Sequence, residues 1–192
     1  TAASHNRIMV IEIMGHKAGW LALYAGIAGG SDIIIIPEIP YRIELIAEHL
    51  RERREKGKNF SVVAVAEGAV SFQEKDMNKK ALKEARKAMA GSIGYRVAQE
   101  IEAATGADAR VTVLGYLQRG GTPSGYDRIL ATRFGAAAAE LAAADQYGVM
   151  TALQQGVITA VPLSKVADKV KKVPENDPMI RAARDVGTCL AG

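Results

Sequence analysis

Four isoleucines stand in succession, Ile33 to Ile36, between Asp32 and Pro37. Neighbouring residues of a strand point to opposite sides, so an unbroken apolar run cannot leave one face in water. The run predicts a strand covered on both faces, as in a parallel sheet with helices above and below it. Pro37 closes it, because proline has no N–H to give to a ladder. Three more runs read as strands: Arg7 to Ile13, Phe60 to Ala66, and Val111 to Leu114. Between and after them, helices are predicted over Trp20 to Ala28, Pro40 to about Lys56, Glu74 to Met89, Ile93 to Ala104, and Tyr126 to Ala144. Strands alternating with helices predict βαβ units and the α/β class.

After Gly148 the pattern changes. Val149 to Leu153 and Val157 to Pro162 flank Gln154-Gln155-Gly156, a turn signal that predicts a hairpin. Two short helices follow, near Leu163 to Lys172 and Met179 to Leu190. Ser124, with Asp127 three residues on, forms a capping box for the long helix after it.

Bulk properties narrow the function. At 192 residues and 48% apolar, the chain has material for a real core. No apolar run reaches the length of a membrane span, and the opening Thr1-Ala-Ala-Ser-His has no apolar signal region. A lone cysteine, Cys189, excludes an internal disulfide and fits a reducing cytosol, so a cytoplasmic location is expected. Net charge is +4 and the pI near 9.2, which raises nucleic acid as a partner. Yet the densest basic run, Arg51 to Lys58, is interrupted by acids and lacks interleaved aromatics. It ends a helix, where cations suit the dipole, and a solvated helix end is the better reading.

Strand, glycine-rich loop and helix meet over Val111 to Arg128, with Gly115, Gly120, Gly121 and Gly125 in the loop. Such a loop lets backbone approach an anion, and the following helix offers free N–H groups. Arg110 and Arg119 bracket it, and a guanidinium can clamp a phosphate with two parallel hydrogen bonds. The same residues suit a phosphate site or an ordinary βα turn with surface arginines.

Three segments together resemble the 6-phosphofructokinases, both ATP-dependent and pyrophosphate-dependent: Arg7-Ile-Met-Val-Ile-Glu-Ile-Met-Gly-His16, Val65-Ala-Glu-Gly68, and Val113-Leu-Gly-Tyr-Leu-Gln-Arg-Gly-Gly-Thr-Pro-Ser-Gly-Tyr-Asp-Arg128. The resemblance implies a Rossmann-like three-layer lobe of the phosphofructokinase fold, with C-terminal strands and helices belonging to a second lobe. Residues 1–125 would form the sugar-phosphate lobe. Residues 126–192 would supply the long helix, hairpin and C-terminal helices that return to a donor-binding lobe. That lobe's Gly-Gly-Asp-Gly loop and its aspartate-bearing segment do not occur here, so the chain is expected to be one part of a longer enzyme, inactive alone.

What the resemblance implies for individual residues is specific. Arg7 and Arg110 match arginines that reach across a subunit interface to the 6-phosphate of fructose 6-phosphate. Arg119 matches one that binds that phosphate within the subunit, and Tyr116 stands where a histidine is common. Met14 and Gly15 match residues lining the sugar site, and Glu67 a carboxylate that accepts from sugar hydroxyls. His16 stands where the family usually has an arginine facing the transferring phosphoryl group, with Lys17 beside it as a replacement cation. Asp32, Lys56 and Lys58 match a nucleotide effector site. The donor would be ATP or pyrophosphate, with Mg²⁺ held outside this segment, in a homo-oligomer, tetramer or dimer. The departure at His16 leaves a second reading, a non-catalytic sugar-phosphate-binding or regulatory lobe.

Overall fold

The computed structural model describes residues 1–78, 80, 81, 84 and 91–192. It divides into two compact units, Thr1–Gln118 with Lys171–Gly192, and Arg119–Val170. The helices whose bounds lie among the described residues are, in chain order, α1 (Ala2–His5), α2 (Trp20–Ala28), α3 (Ile43–Glu55), α4 (Ile93–Thr105), α5 (Gly125–Ala143), α6 (Leu163–Val166) and α7 (Pro178–Asp185). The strands are β1 (Ile8–Ile13), β2 (Ile33–Ile35), β3 (Ser61–Ala66), β4 (Ala109–Val113), β5 (Val149–Gln154) and β6 (Val157–Pro162).

The first unit is built on a parallel sheet of order β2-β3-β1-β4. The isoleucine run does what its pattern requires. Ile33 and Ile35 pack with Ile46 and Leu50 of α3 and Val97 and Ile101 of α4. Ile34 and Ile36 pack on the other side with Ala22 and Leu23 of α2 and Ile180 and Ala183 of α7. All four isoleucines are fully buried. Each contributes about 1.5–3 kcal/mol of apolar burial, so this short run anchors both layers.

Several boundaries differ from the sequence reading. The last helix stops at Asp185 rather than Leu190, because Gly187 turns the backbone at φ 84° and Cys189 then pairs with Ile33 as a parallel bridge. Ile34 N–H donates to the Cys189 carbonyl at 2.9 Å, and Cys189 N–H to the Asp32 carbonyl at 3.0 Å. A sheet edge needing partners outweighs local helix preference there. Helix α6 ends at Val166, short of Lys172, and β4 begins at Ala109, where it pairs with Ile8. The segment Lys171–Gly192, grouped by sequence with the long helix and hairpin, belongs to the first unit's core through Val173, Ile180, Ala183 and Leu190. The helix expected over Glu74 to Met89 falls largely outside the described residues; Glu74 itself closes a 3-10 turn, Phe72–Glu74.

The second unit consists of α5, the hairpin β5–β6 and α6. The expected hairpin is present, with Gln154 opposite Val157 and both loop residues at positive φ, Gln155 at 50° and Gly156 at 82°. That is the turn whose twist matches a two-residue hairpin. The capping box also forms: Ser124 Oγ accepts from Asp127 N–H at 3.2 Å, and Asp127 Oδ2 accepts from Ser124 N–H at 3.0 Å.

Candidate substrate site

In open α/β sheets ligands bind beyond the carboxyl ends of the strands. There β1 runs into Met14, Gly15 and His16, β3 into Glu67 and Gly68, and β4 into a 3-10 turn, Gly115–Arg119, that carries Tyr116. The register holds these ends level, since Ile13 lies opposite Ala66 and Glu12 opposite Val113.

Glu67 organises the loop. Its Oε1 accepts from Gly15 N–H at 3.2 Å and from His16 N–H at 2.5 Å. His16 sits in the left-handed region at φ 54°, a conformation that costs a non-glycine residue about 1–2 kcal/mol. The two charge-assisted bonds offset that cost. Gly68 is required for the approach, because a Cβ there would run into the His16 carbonyl oxygen. The β4 side is fastened as well: Met14 N–H donates to Gln118 Oε1 at 3.3 Å. Tyr116 is 81% exposed, and His16 and Lys17 are exposed too.

Met14, Gly15, His16 and Glu67 are thus brought together, and the turn bearing Tyr116 is tied to them. Arg7 and Arg110 are not. They lie at the amino end of β1 and β4, where both guanidiniums pair with Asp108, Arg7 Nε at 2.5 Å from Oδ2. Arg7 and Met14 flank the six residues of β1, seven steps of about 3.3 Å or roughly 23 Å apart. Arg119 opens the second unit.

Asp32, Lys56 and Lys58 line one cavity of about 350 Å³, with His49 and Arg53. Asp32 is already engaged there, by Arg53 Nη2 at 2.7 Å and by Val62 N–H at 2.9 Å. Burial, and next the Arg53 charge, push the His49 imidazole below its ordinary pKa, and its buried Nε2 has no hydrogen-bond partner among the described residues. A lowered folded pKa means that the unfolded chain takes the proton first. Stability present above pH 6.5, the ordinary value, is therefore lost as pH falls toward the depressed one. Melting temperature followed from pH 8 to about 5 should decline for the native sequence and decline less for His49→Gln. Equal slopes would show that His49 is not the group responsible.

Sequence reasoning missed three residues here. Glu12, buried in β1, accepts from Gly94 N–H at 2.7 Å and so satisfies a donor in the first turn of α4. Gln118 sits inside a recognised segment, but only its contact with Met14 gives it a role. Glu38 had no local signal at all.

No three of His, Cys, Asp and Glu gather into a metal cage among the described residues. No helix among the described residues is long and apolar enough to cross a membrane.

A family model described as Phosphofructokinase matches residues 1–142. An ATP-dependent 6-phosphofructokinase of Spirochaeta thermophila is 61% identical over 99% of this chain and 52% of its own length. ATP-dependent 6-phosphofructokinase 3 of Bacteroides thetaiotaomicron is 49% identical over 99% of this chain and 52% of its own. Among solved structures, a pyrophosphate-dependent phosphofructokinase from Nitrosospira multiformis aligns with TM-score 0.72 and 26% identity over 91% of this chain and 45% of that one. A phosphofructokinase from Saccharomyces cerevisiae aligns with TM-score 0.69 and 33% identity over 85% of this chain and 21% of that one. The chain spans about half the length of the curated relatives it matches. With a family model covering most of its residues, and with the parallel-sheet fold shared by solved members, the chain belongs to the phosphofructokinase family.

Proposed function

We propose that this chain is the substrate-binding part of a glycolytic, cytoplasmic 6-phosphofructokinase, which transfers the terminal phosphoryl of ATP to the C1 hydroxyl of fructose 6-phosphate. The observation that carries the reading is Glu67. Its carboxylate fixes the Met14–His16 loop where β1 and β3 end, in a chain 61% identical to an ATP-dependent relative.

In this reading Glu67 Oε2 accepts from sugar hydroxyls, and Met14 and Gly15 line the sugar. Arg119 clamps the 6-phosphate and Tyr116 donates to it. Anchoring the remote end of a substrate orients its reacting hydroxyl. His16 and Lys17 lie where charge develops on the transferring group, and positioning with charge neutralisation does most of the work in phosphoryl transfer. The base, the donor site and Mg²⁺ ligands belong to the part of the relatives that lies beyond this chain. Residues 1–125 are the sugar-phosphate lobe, and the long helix and hairpin within 126–192 serve the donor-binding part. Asp32, Lys56 and Lys58 belong to an effector-nucleotide site, where the two lysines supply the charge that suits a phosphate. Identity to ATP-dependent relatives favours ATP over pyrophosphate as donor.

Arg7 and Arg110 need a second copy. They stand a strand length from Glu67, so in their own chain they cannot share its ligand. A symmetric oligomer can present them to a neighbour's 6-phosphate. Mixing tests this. Full-length Arg7→Ala and Arg119→Ala enzymes should each be impaired, and co-refolding the two should restore activity, since one site in a mixed pair is then intact. No recovery would mean that Arg7 acts within its own chain. Assay of the full-length enzyme with ATP and then pyrophosphate tests the activity itself, and absence of turnover with both would leave a binding lobe.

A further inference from the structure

We infer that Glu38 is a positioning residue that latches the C-terminal segment to the loop carrying His16 and Lys17, an inference that rests on the proposed phosphoryl-transfer reading of that loop. Glu38 follows β2 and Pro37. Its Oε1 accepts from Gly19 N–H at 3.0 Å and from Val173 N–H at 2.9 Å, and its Oε2 accepts from Gly19 at 3.1 Å. One half-buried carboxylate therefore joins two stretches of chain more than 150 residues apart in sequence. Gly19 is buried, and a Cβ there would meet Glu38 Oε2 at 2.8 Å and the side chain of Ile36 closer still. The glycine admits the carboxylate.

A second tie lies one residue away. Trp20 Nε1–H donates to the Lys171 carbonyl at 2.8 Å, while Lys171 Nζ stands 5.3 Å from the Trp20 ring. The start of α2 is thus held to residues 171–173 at two points, and a carboxylate at a helix N-terminus is also favoured by the dipole. The loop Met14–Gly19 consequently has two carboxylate anchors. Glu67 holds its sugar-facing half at Gly15 and His16. Glu38 holds its far end at Gly19, with exposed Lys17 between.

The two anchors predict a kinetic split. In the full-length enzyme, Glu38→Ala should lower kcat about tenfold or more, with the Michaelis constant for fructose 6-phosphate held within about threefold, because only the far half of the loop is released. Glu38→Gln keeps Oε1 as acceptor for both N–H groups and should retain most of kcat. Should Glu38→Ala not fold, Glu38→Asp replaces it, since a side chain one methylene shorter cannot reach both donors. Amide exchange of Gly19 and Val173, read by NMR or fragment mass spectrometry, should be at least about tenfold faster in the impaired variant. A folded variant with unchanged kcat overturns the positioning role. If unmodified enzyme turns over with neither ATP nor pyrophosphate, the functional reading fails by itself. Exchange then decides the latch: faster exchange at both amides upholds it, and unchanged exchange overturns it.

Discussion

Arg119→Ala in the full-length enzyme is expected to raise the Michaelis constant for fructose 6-phosphate by about 10- to 100-fold, and that for ATP by no more than about threefold. A hydrogen bond to a charged group is worth about 1.5–3 kcal/mol, and each 1.4 kcal/mol is tenfold in affinity. Arg119→Lys should recover part of the loss, because an ammonium supplies the charge without the planar fork. Steady-state kinetics with each substrate varied in turn checks this. If both Michaelis constants rise together, Arg119 is not a 6-phosphate ligand, and the loop Gly120 to Gly125 would need another role.

Substitution of Glu67 should separate its two oxygens. Glu67→Gln keeps a carbonyl oxygen for Gly15 and His16, since two N–H donors face that side and reject the amide nitrogen. In the proposed site the amide NH₂ would then face the sugar where an acceptor stood. The Michaelis constant for fructose 6-phosphate should rise about 10- to 100-fold with little change in melting temperature. Glu67→Ala loses both functions. It releases the two loop amides and the left-handed His16, so melting temperature should also fall, by about 2–6 °C. Calorimetry on both variants beside the kinetics tests the division. If Glu67→Gln binds fructose 6-phosphate as well as the native enzyme, Oε2 does not face the sugar.

The two variants probe different levels of the structure. Gly15, His16 and Glu67 could be singled out in sequence because the segments that carry them resemble those of the phosphofructokinases. Their mutual contact is a consequence of register: β1 and β3 pair so that Ile13 and Ala66 finish together. Adjacency in the sheet converts residues 51 or 52 apart in sequence into hydrogen-bonded neighbours.

The layered architecture was legible in the chain itself. An apolar run at Ile33 to Ile36, with helix-length segments between strands, permits little besides a sheet covered on both sides, because neighbouring Cβ atoms must point opposite ways. The Ser124 cap and the Gln155-Gly156 turn were legible for the same reason, since both are set by dihedrals and bonds within a few residues. Other features follow from packing over long sequence separations. Cys189 leaves the expected helix to pair with β2, Asp108 gathers Arg7 and Arg110 away from Glu67, and Glu38 finds Gly19 and Val173. Local pattern is silent on these, because a sheet edge, a buried carboxylate or an unpaired amide takes whatever partner the folded chain brings within about 3 Å.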